Sequence, residues 1–280
     1  MTPDFHKQYR PLTSRPFLRG YAYSEYAPSG CLAPYIACFW EAGEVKEGAG
    51  ERKVLVIPDT CADIIIHINY TRQTVSSRIC GVADSPAVSV QKPSGDRETT
   101  FAVRFYFWAV RLFLNVKMSE LYNQVLNLEL VDKEAAGEFK AFLDITETSG
   151  RIAWLERFLL NRLLQATVKR QCNFNVYNAV DRILKNSGSI SVKEVCGYAS
   201  ISQRQMERLF MQDIGLSIKR TADLVRYQNV WRDVVRQDVL NIQDTVYRYG
   251  FADQSHLLNE FKRFHGVTPR QAKEIALLNL

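Results

Sequence analysis

Two stretches in the last third of the chain concentrate side chains suited to hydrogen-bonding the edges of base pairs. The first holds Gln203, Arg204, Glu207 and Arg208, and the second Gln254, Ser255, Leu258, Asn259 and Lys262. An arginine can donate two parallel hydrogen bonds to guanine O6 and N7. A glutamine or asparagine can pair in the same bidentate way with adenine, and a leucine can touch a thymine methyl. The plain alternative is a pair of solvated faces, as most polar helix faces are. The elements that must carry these residues decide between the two readings.

Those elements repeat. Val195, Tyr198, Gln203, Phe210 and Gly215 recur 51 positions later as Val246, Tyr249, Gln254, Phe261 and Gly266. Conservative pairs accompany them, among them Ser202 with Asp253 and Met206 with Leu257. Each copy reads as helix, turn, helix. In the first, Ser191 and Glu194 have the spacing of a capping box, and Val192, Val195, Cys196 and Ala199 form one apolar stripe. After a turn at 199–201, Ser202 caps a second helix whose inner face is Met206, Leu209 and Phe210, with Gly215 as its left-handed stop. In the second copy a supporting helix over 243–249 leads to a turn at 250–252. Asp253 then caps the helix 254–265, with Leu257, Phe261 and Phe264 inward. Gly266 ends it, and Pro269 sits in the first turn of a final helix, where its missing N–H does no harm.

Between the copies, residues 217–238 read as one helix, about 33 Å long at 1.5 Å per residue and close to one turn of DNA. Leu224, Val225, Trp231, Val234 and Val235 are expected to pack it onto both units. Arg226, Arg232 and Arg236 are open to two roles, structural ion pairs or phosphate contacts.

The strings at 201–210 and 250–269 resemble the AraC/XylS family of transcription regulators, over about residues 174–275. The resemblance implies a helical double-stranded-DNA-binding domain joined to a variable sensing or dimerisation domain, with RNA polymerase and a second copy of the chain as further partners, and activation as a role. Departures are visible. Ser200 stands for the usual turn glycine, Ile218 for the usual proline, Thr221 and Ala272 where an aromatic is common, and Asn259 where arginine is frequent.

The fold class expected is α+β: a β-rich domain with helices over residues 1–171, for which a looser resemblance of residues 21–130 implies a cupin-like fold, then an all-α domain over 172–280 with two helix-turn-helix units on a linker helix. The strands are expected at about 62–70 and 100–107, with turn signals through 20–110 and helical spacing from about 110 onward. The junction falls in the polar stretch 169–173, and the two domains are expected to be closely coupled. Residues 21–130 also resemble, more loosely, an N-terminal domain found on many regulators of that family, through Tyr26, Leu32, Tyr35, Phe39, Trp40, Pro58, Asp59, Asp63 and Arg104.

In this domain Trp40, Arg104 and Tyr106 are candidates for binding a small-molecule effector, Arg104 as anchor for an anion. The alternative is an aromatic core with a salt-bridged arginine, and Asp59 and Asp63 as turn caps. Only His6 and His67 could serve a metal there, too few for a cupin metal centre, so neither a metal nor a cofactor is expected.

The 280 residues carry a net charge of +6. Residues 172–280 hold 15 Lys and Arg against 11 Asp and Glu, and the rest hold 21 against 19. A basic C-terminal third suits a polyanionic partner. Six scattered cysteines (Cys31, Cys38, Cys61, Cys80, Cys172, Cys196) lack a C-x-x-C and are expected to be reduced. There is neither a secretory h-region nor an apolar run of membrane-spanning length, so a cytoplasmic location and no membrane partner are expected. A DNA-repair enzyme carrying the same module would need a supported nucleophilic cysteine or a zinc cluster, and neither spacing is present. Control by a protein partner without a small molecule is the other alternative.

Overall fold

The computed structural model describes residues 4–12, 23–43, 50–169, 173–238 and 240–278. The alternation in residues 61–69 makes a half-buried strand: Ala62, Ile64, Ile66 and Ile68 turn into the core, while Asp63, Ile65 and His67 face the other way. This strand, β4 (Cys61–Asn69), lies inside a six-stranded antiparallel sheet ordered β1-β2-β7-β4-β5-β8. Its other members are β1 (Tyr23–Tyr26), β2 (Ile36–Gly43), β5 (Thr74–Cys80), β7 (Glu98–Tyr106) and β8 (Val125–Asn127). Strands β3 (Arg52–Val56) and β6 (Ala87–Gln91) pair as a separate antiparallel ribbon. The register sets Phe39 and Ile64 on either side of Val103, and Cys38 and Asp63 on either side of Arg104.

Aromatic side chains fasten helices to the apolar face of the sheet. Phe101 meets Phe142 with ring centroids 5.9 Å apart, and Phe105 meets Phe113 at 5.1 Å. Each such fully buried phenylalanine contributes about 1.5–3 kcal/mol from burial. The helices behind the sheet are α2 (Val110–Phe113), α3 (Met118–Leu121), α4 (Leu128–Val131), α5 (Lys133–Glu138) and α6 (Thr148–Lys169), with a 3-10 turn at Phe139–Leu143. Leu155 and Leu159 form the inner row of α6, and buried Arg151 ties its start to Glu41 of β2 at 2.7 Å. The helical spacing expected from 110 onward is interrupted by β8, three residues too short to show a period of their own.

The remaining chain is helical: α7 (Phe174–Lys185), α8 (Val192–Ala199), α9 (Gln203–Asp213), α10 (Ile218–Arg236), α11 (Ile242–Arg248), α12 (Gln254–His265) and α13 (Pro269–Leu278). A short helix α1 (Phe5–Gln8) at the other end of the chain packs with α7. The architecture is therefore the expected α+β, a β-rich part followed by an all-helical part. Residues 170–172, at the expected junction, lie outside the described residues. The linker helix is shorter than the sequence suggested. It spans 19 residues, about 28 Å. It stops at Arg236 because Gln237 turns extended and Lys273 of α13 donates to the carbonyls of Gln237 and Asp238.

The helical part docks on the β-rich part along α9 and α10. Gln228 of α10, buried, accepts from Leu12 N (3.0 Å) and donates to Pro58 O (2.5 Å). Arg220 pairs with Asp84 at 2.7 Å, and Arg111 pairs with Asp213 at the end of α9. Phe5 packs edge-on against both Trp108 and Tyr177. Gly215, at φ +82°, faces the backbone of Met118 so closely that a Cβ there would collide with the Met118 carbonyl oxygen.

Candidate nucleic-acid interface

The first unit is built from its caps. Ser191 Oγ accepts from Glu194 N at 3.2 Å while the Glu194 carboxylate accepts from Ser191 N at 2.9 Å, a complete capping box on α8. Hydrogen bonds from Ser191 hold the Glu194 carboxyl below its ordinary pKa. Val195 and Cys196 then face the core. The turn passes through Ser200 in the left-handed region, φ 52° and ψ 33°, a conformation that costs an L-residue about 1–2 kcal/mol. Ser202 caps α9 by accepting from Gln205 N, and Met206 and Phe210 are buried beneath.

Gln203, Arg204 and Arg208 stand exposed on the far side of α9, as their spacing requires. Glu207 does not stand with them. It is half-buried, and its carboxylate accepts from Ile218 N at 3.3 Å. It thus satisfies one of the orphan amides at the start of α10, where the helix dipole also favours a negative charge. The helix also exposes the Gln205 side chain, whose backbone N–H donates to the Ser202 cap.

In the second unit Asn241 caps α11, Asp253 caps α12 by accepting from His256 N at 2.8 Å, and Leu257, Phe261 and Phe264 fill the core. Gln254, Ser255, Asn259 and Lys262 are exposed, whereas Leu258 is half-buried against the core. His256 and Arg263 are also exposed on this helix, at i, i+3 and i+4 spacing around Asn259, with Arg263 3.8 Å from Asp223.

The choice left open for the linker arginines is decided for Arg226. It is buried and bonds both carboxylate oxygens of Glu260, at 2.9 and 2.6 Å, so it makes an ion pair. Arg232 bonds Asn229 and the Arg10 carbonyl, and Arg236 is exposed. Beside them His265 is fully buried between Trp231 and Phe261. Burial drives its pKa down to about 4, so at neutral pH it is an uncharged ring hydrogen-bonded to Tyr227 (2.8 Å).

The effector candidates of the first domain do not form a free anion site. Arg104 is buried and bonds both oxygens of Asp63, at 2.9 and 3.0 Å, with Asp59 at 3.4 Å. Two carboxylates thus offset one guanidinium, the salt-bridged arginine of the alternative reading. Trp40 donates to the same Asp63 at 3.2 Å, and Tyr106 is buried in a stack on Trp108. Asp59 does cap a turn, accepting from Cys61 N at 3.0 Å. Its pKa is raised by burial, with Asp63 adding to the effect and Arg104 opposing it. His67, half-buried, lies 3.2 Å from Glu98. Among the described residues no group of His, Cys, Asp and Glu is placed to hold a metal, the five described cysteines are free thiols, and no helix is long and apolar enough to cross a membrane.

Two helix pairs, each with a capped, outward-facing second helix, joined end to end by one helix, form a tandem helix-turn-helix arrangement. Residues 195–275 match the family described as a helix-turn-helix domain, and residues 24–127 match a domain of unknown function, DUF6597. Residues 195–275 thus carry a helix-turn-helix domain, in agreement with the two capped helix pairs of the fold. Its fold is similar to that of a transcriptional regulator with an AraC-type DNA-binding domain from Chromobacterium violaceum (21% identity, 36% of this chain and 91% of that one, TM-score 0.34). It is also similar to the C-terminal domain of AraT, a response regulator from Geobacillus stearothermophilus (21% identity, 37% and 87%, TM-score 0.35). The likeness to ToxT from Vibrio cholerae runs over 91% of this chain and 98% of that one, at 10% identity and a TM-score of 0.41. No curated protein matches the chain.

Proposed function

We propose that the chain reads a bipartite DNA sequence and that its β-rich part governs the reading by direct contact. Gln203, Arg204 and Arg208 are the base-reading residues of α9, with Gln254, Ser255, Asn259 and Lys262 serving α12. Glu207 is left out because its carboxylate is engaged by Ile218 N. The division of labour follows the expected boundary, with residues 1–171 regulating and 172–280 reading. The observation that carries the regulatory half is the docking of the β-rich part on α9 and α10 through Asp84, Arg111 and Pro58. A change in the first part that alters these contacts changes the free energy of the DNA-competent arrangement, which is what coupling between sites requires. An effector anchored as an anion on Arg104 is not part of this proposal, because Asp63 and Asp59 already offset that charge.

The reading half is tested by selecting a binding sequence from random duplex DNA and measuring affinity by fluorescence anisotropy. Arg204→Ala or Arg208→Ala should weaken binding to the selected sequence by about 1–3 kcal/mol, leave binding to unrelated DNA nearly unchanged, and relax the base preference at one position. Equal loss on all DNA assigns the arginine to phosphate, and no loss on any DNA removes α9 from the interface.

A further inference from the structure

The two reading helices belong to separate units, and one buried arginine lies where both units meet the linker helix. Arg226, midway along α10, bonds both carboxylate oxygens of Glu260 on α12 (2.9 and 2.6 Å) and lies 3.3 Å from Asp223 one turn earlier. Its guanidinium sits over the ring of Phe251, in the turn of the second unit, 4.3 Å from the centroid. All four side chains are buried. The same node receives the loop that leaves α7 of the first unit. A Cβ on Gly188 would collide with the backbone of Ala222 and Arg226, and one on Gly250 would collide with the Ser189 hydroxyl. Segments of both units and the linker helix thus meet within van der Waals contact of a single arginine.

Resting on the DNA-reading proposal above, we infer that Arg226 is a positioning residue that fixes the distance and rotation between the two reading helices, and so sets the spacing of the two DNA half-sites the protein accepts. A helix connection alone leaves the second unit free to swing about its end. A bidentate guanidinium–carboxylate pair is directional in two hydrogen bonds at once, which a lysine cannot reproduce. Burial makes the arrangement all-or-none, because a half-broken pair leaves a charge without a partner. Arg226 touches no base in this scheme. It acts through Glu260 on the placement of Ser255, Asn259 and Lys262.

The test uses the full chain and duplex libraries in which two selected half-sites are separated by a spacer varied in single base-pair steps. The wild type should enrich one spacing. Arg226→Met, which fills a similar volume without the charge, should enrich neighbouring spacings as well and bind the original one roughly 10-fold less tightly, with the base preference inside each half-site unchanged. Glu260→Gln, which preserves shape, should spread in the same direction, and Arg226→Lys should fall between wild type and Arg226→Met. A folded Arg226→Met protein that keeps the single wild-type spacing, or loses affinity equally at every spacing, overturns the inference. If Arg226→Met does not fold by circular dichroism, Glu260→Gln decides the question by the same criterion. A wild type that enriches no DNA at all overturns the DNA-reading proposal and this inference with it, an outcome distinct from the other two.

Discussion

The two helix-turn-helix units share a grammar of caps and apolar stripes but are held in place by different parts of the molecule. The second is anchored from within the helical part: Glu260 to Arg226, His265 to Tyr227, Phe261 to Trp231. The end of the first unit's reading helix is anchored by the β-rich part, through Arg111 on Asp213 and Met118 against Gly215. Repeated sequence therefore does not mean repeated anchorage. One reading head is fixed by its own domain, and the other is placed where the neighbouring domain can reach it.

The strongest way to break this comparison is at Gly215. Gly215→Ala puts a methyl into the Met118 carbonyl at a left-handed φ, and the domain contact must open to admit it. It should lower unfolding free energy by about 2–4 kcal/mol, read as the urea midpoint. An effect below about 1 kcal/mol would show that α9 does not depend on the docking surface.

A smaller effect belongs to Asp84, the carboxylate that holds Arg220. Burial disfavours its charge, but hydrogen bonds from Tyr122 and Asn123 and the nearby Arg220 outweigh burial and lower its pKa. A lowered folded-state pKa contributes stability that is complete above the unfolded value near 3.9 and is lost as pH falls through the folded value. Asp84→Asn should therefore cost about 2 kcal/mol at pH 7, with the gap to wild type closing as pH falls below about 4. Urea midpoints of both proteins across that range check the sign, and a gap that widens in acid contradicts it.

The smallest expected effect sharpens the contrast between the two turns. The first uses Ser200 in the left-handed region where the second uses Gly250. Ser200→Gly should raise stability by about 0.5–1 kcal/mol, the relief of strain less the added freedom of the unfolded chain. A melting temperature unchanged or lowered would mean that the serine side chain compensates for its own backbone.

Local features were legible in the sequence and distant pairings were not. Ser191 with Glu194, Ser202 and Asp253 as caps, and the inner stripes of α9 and α12 depend on residues within a turn of one another. So does the alternation that gives β4 and β7. Glu207 could not be read, because its partner Ile218 lies eleven residues away across a turn whose angle is set by packing. Arg226 was readable as one of two roles, but Glu260, 34 residues on, decides between them. The same holds for Arg104, whose neutralising Asp63 sits on the adjacent strand 41 residues earlier. The end of α10 depends on Lys273 arriving from α13.

Gln228 gives the domain contact an uneven response to the medium. Its two hydrogen bonds, part-buried to Leu12 and buried to Pro58, are between neutral groups, whereas Arg220–Asp84 and Arg111–Asp213 each involve an arginine at least a third exposed. Ionic strength screens exposed charges and leaves buried neutral hydrogen bonds nearly untouched. Rising salt thus loosens the flanks of the contact before its centre, and the helical part is expected to pivot about Gln228 rather than come away. Under the DNA reading proposed above, which also weakens as salt rises, the joint and the DNA grip would slacken together, while the two halves keep a common axle.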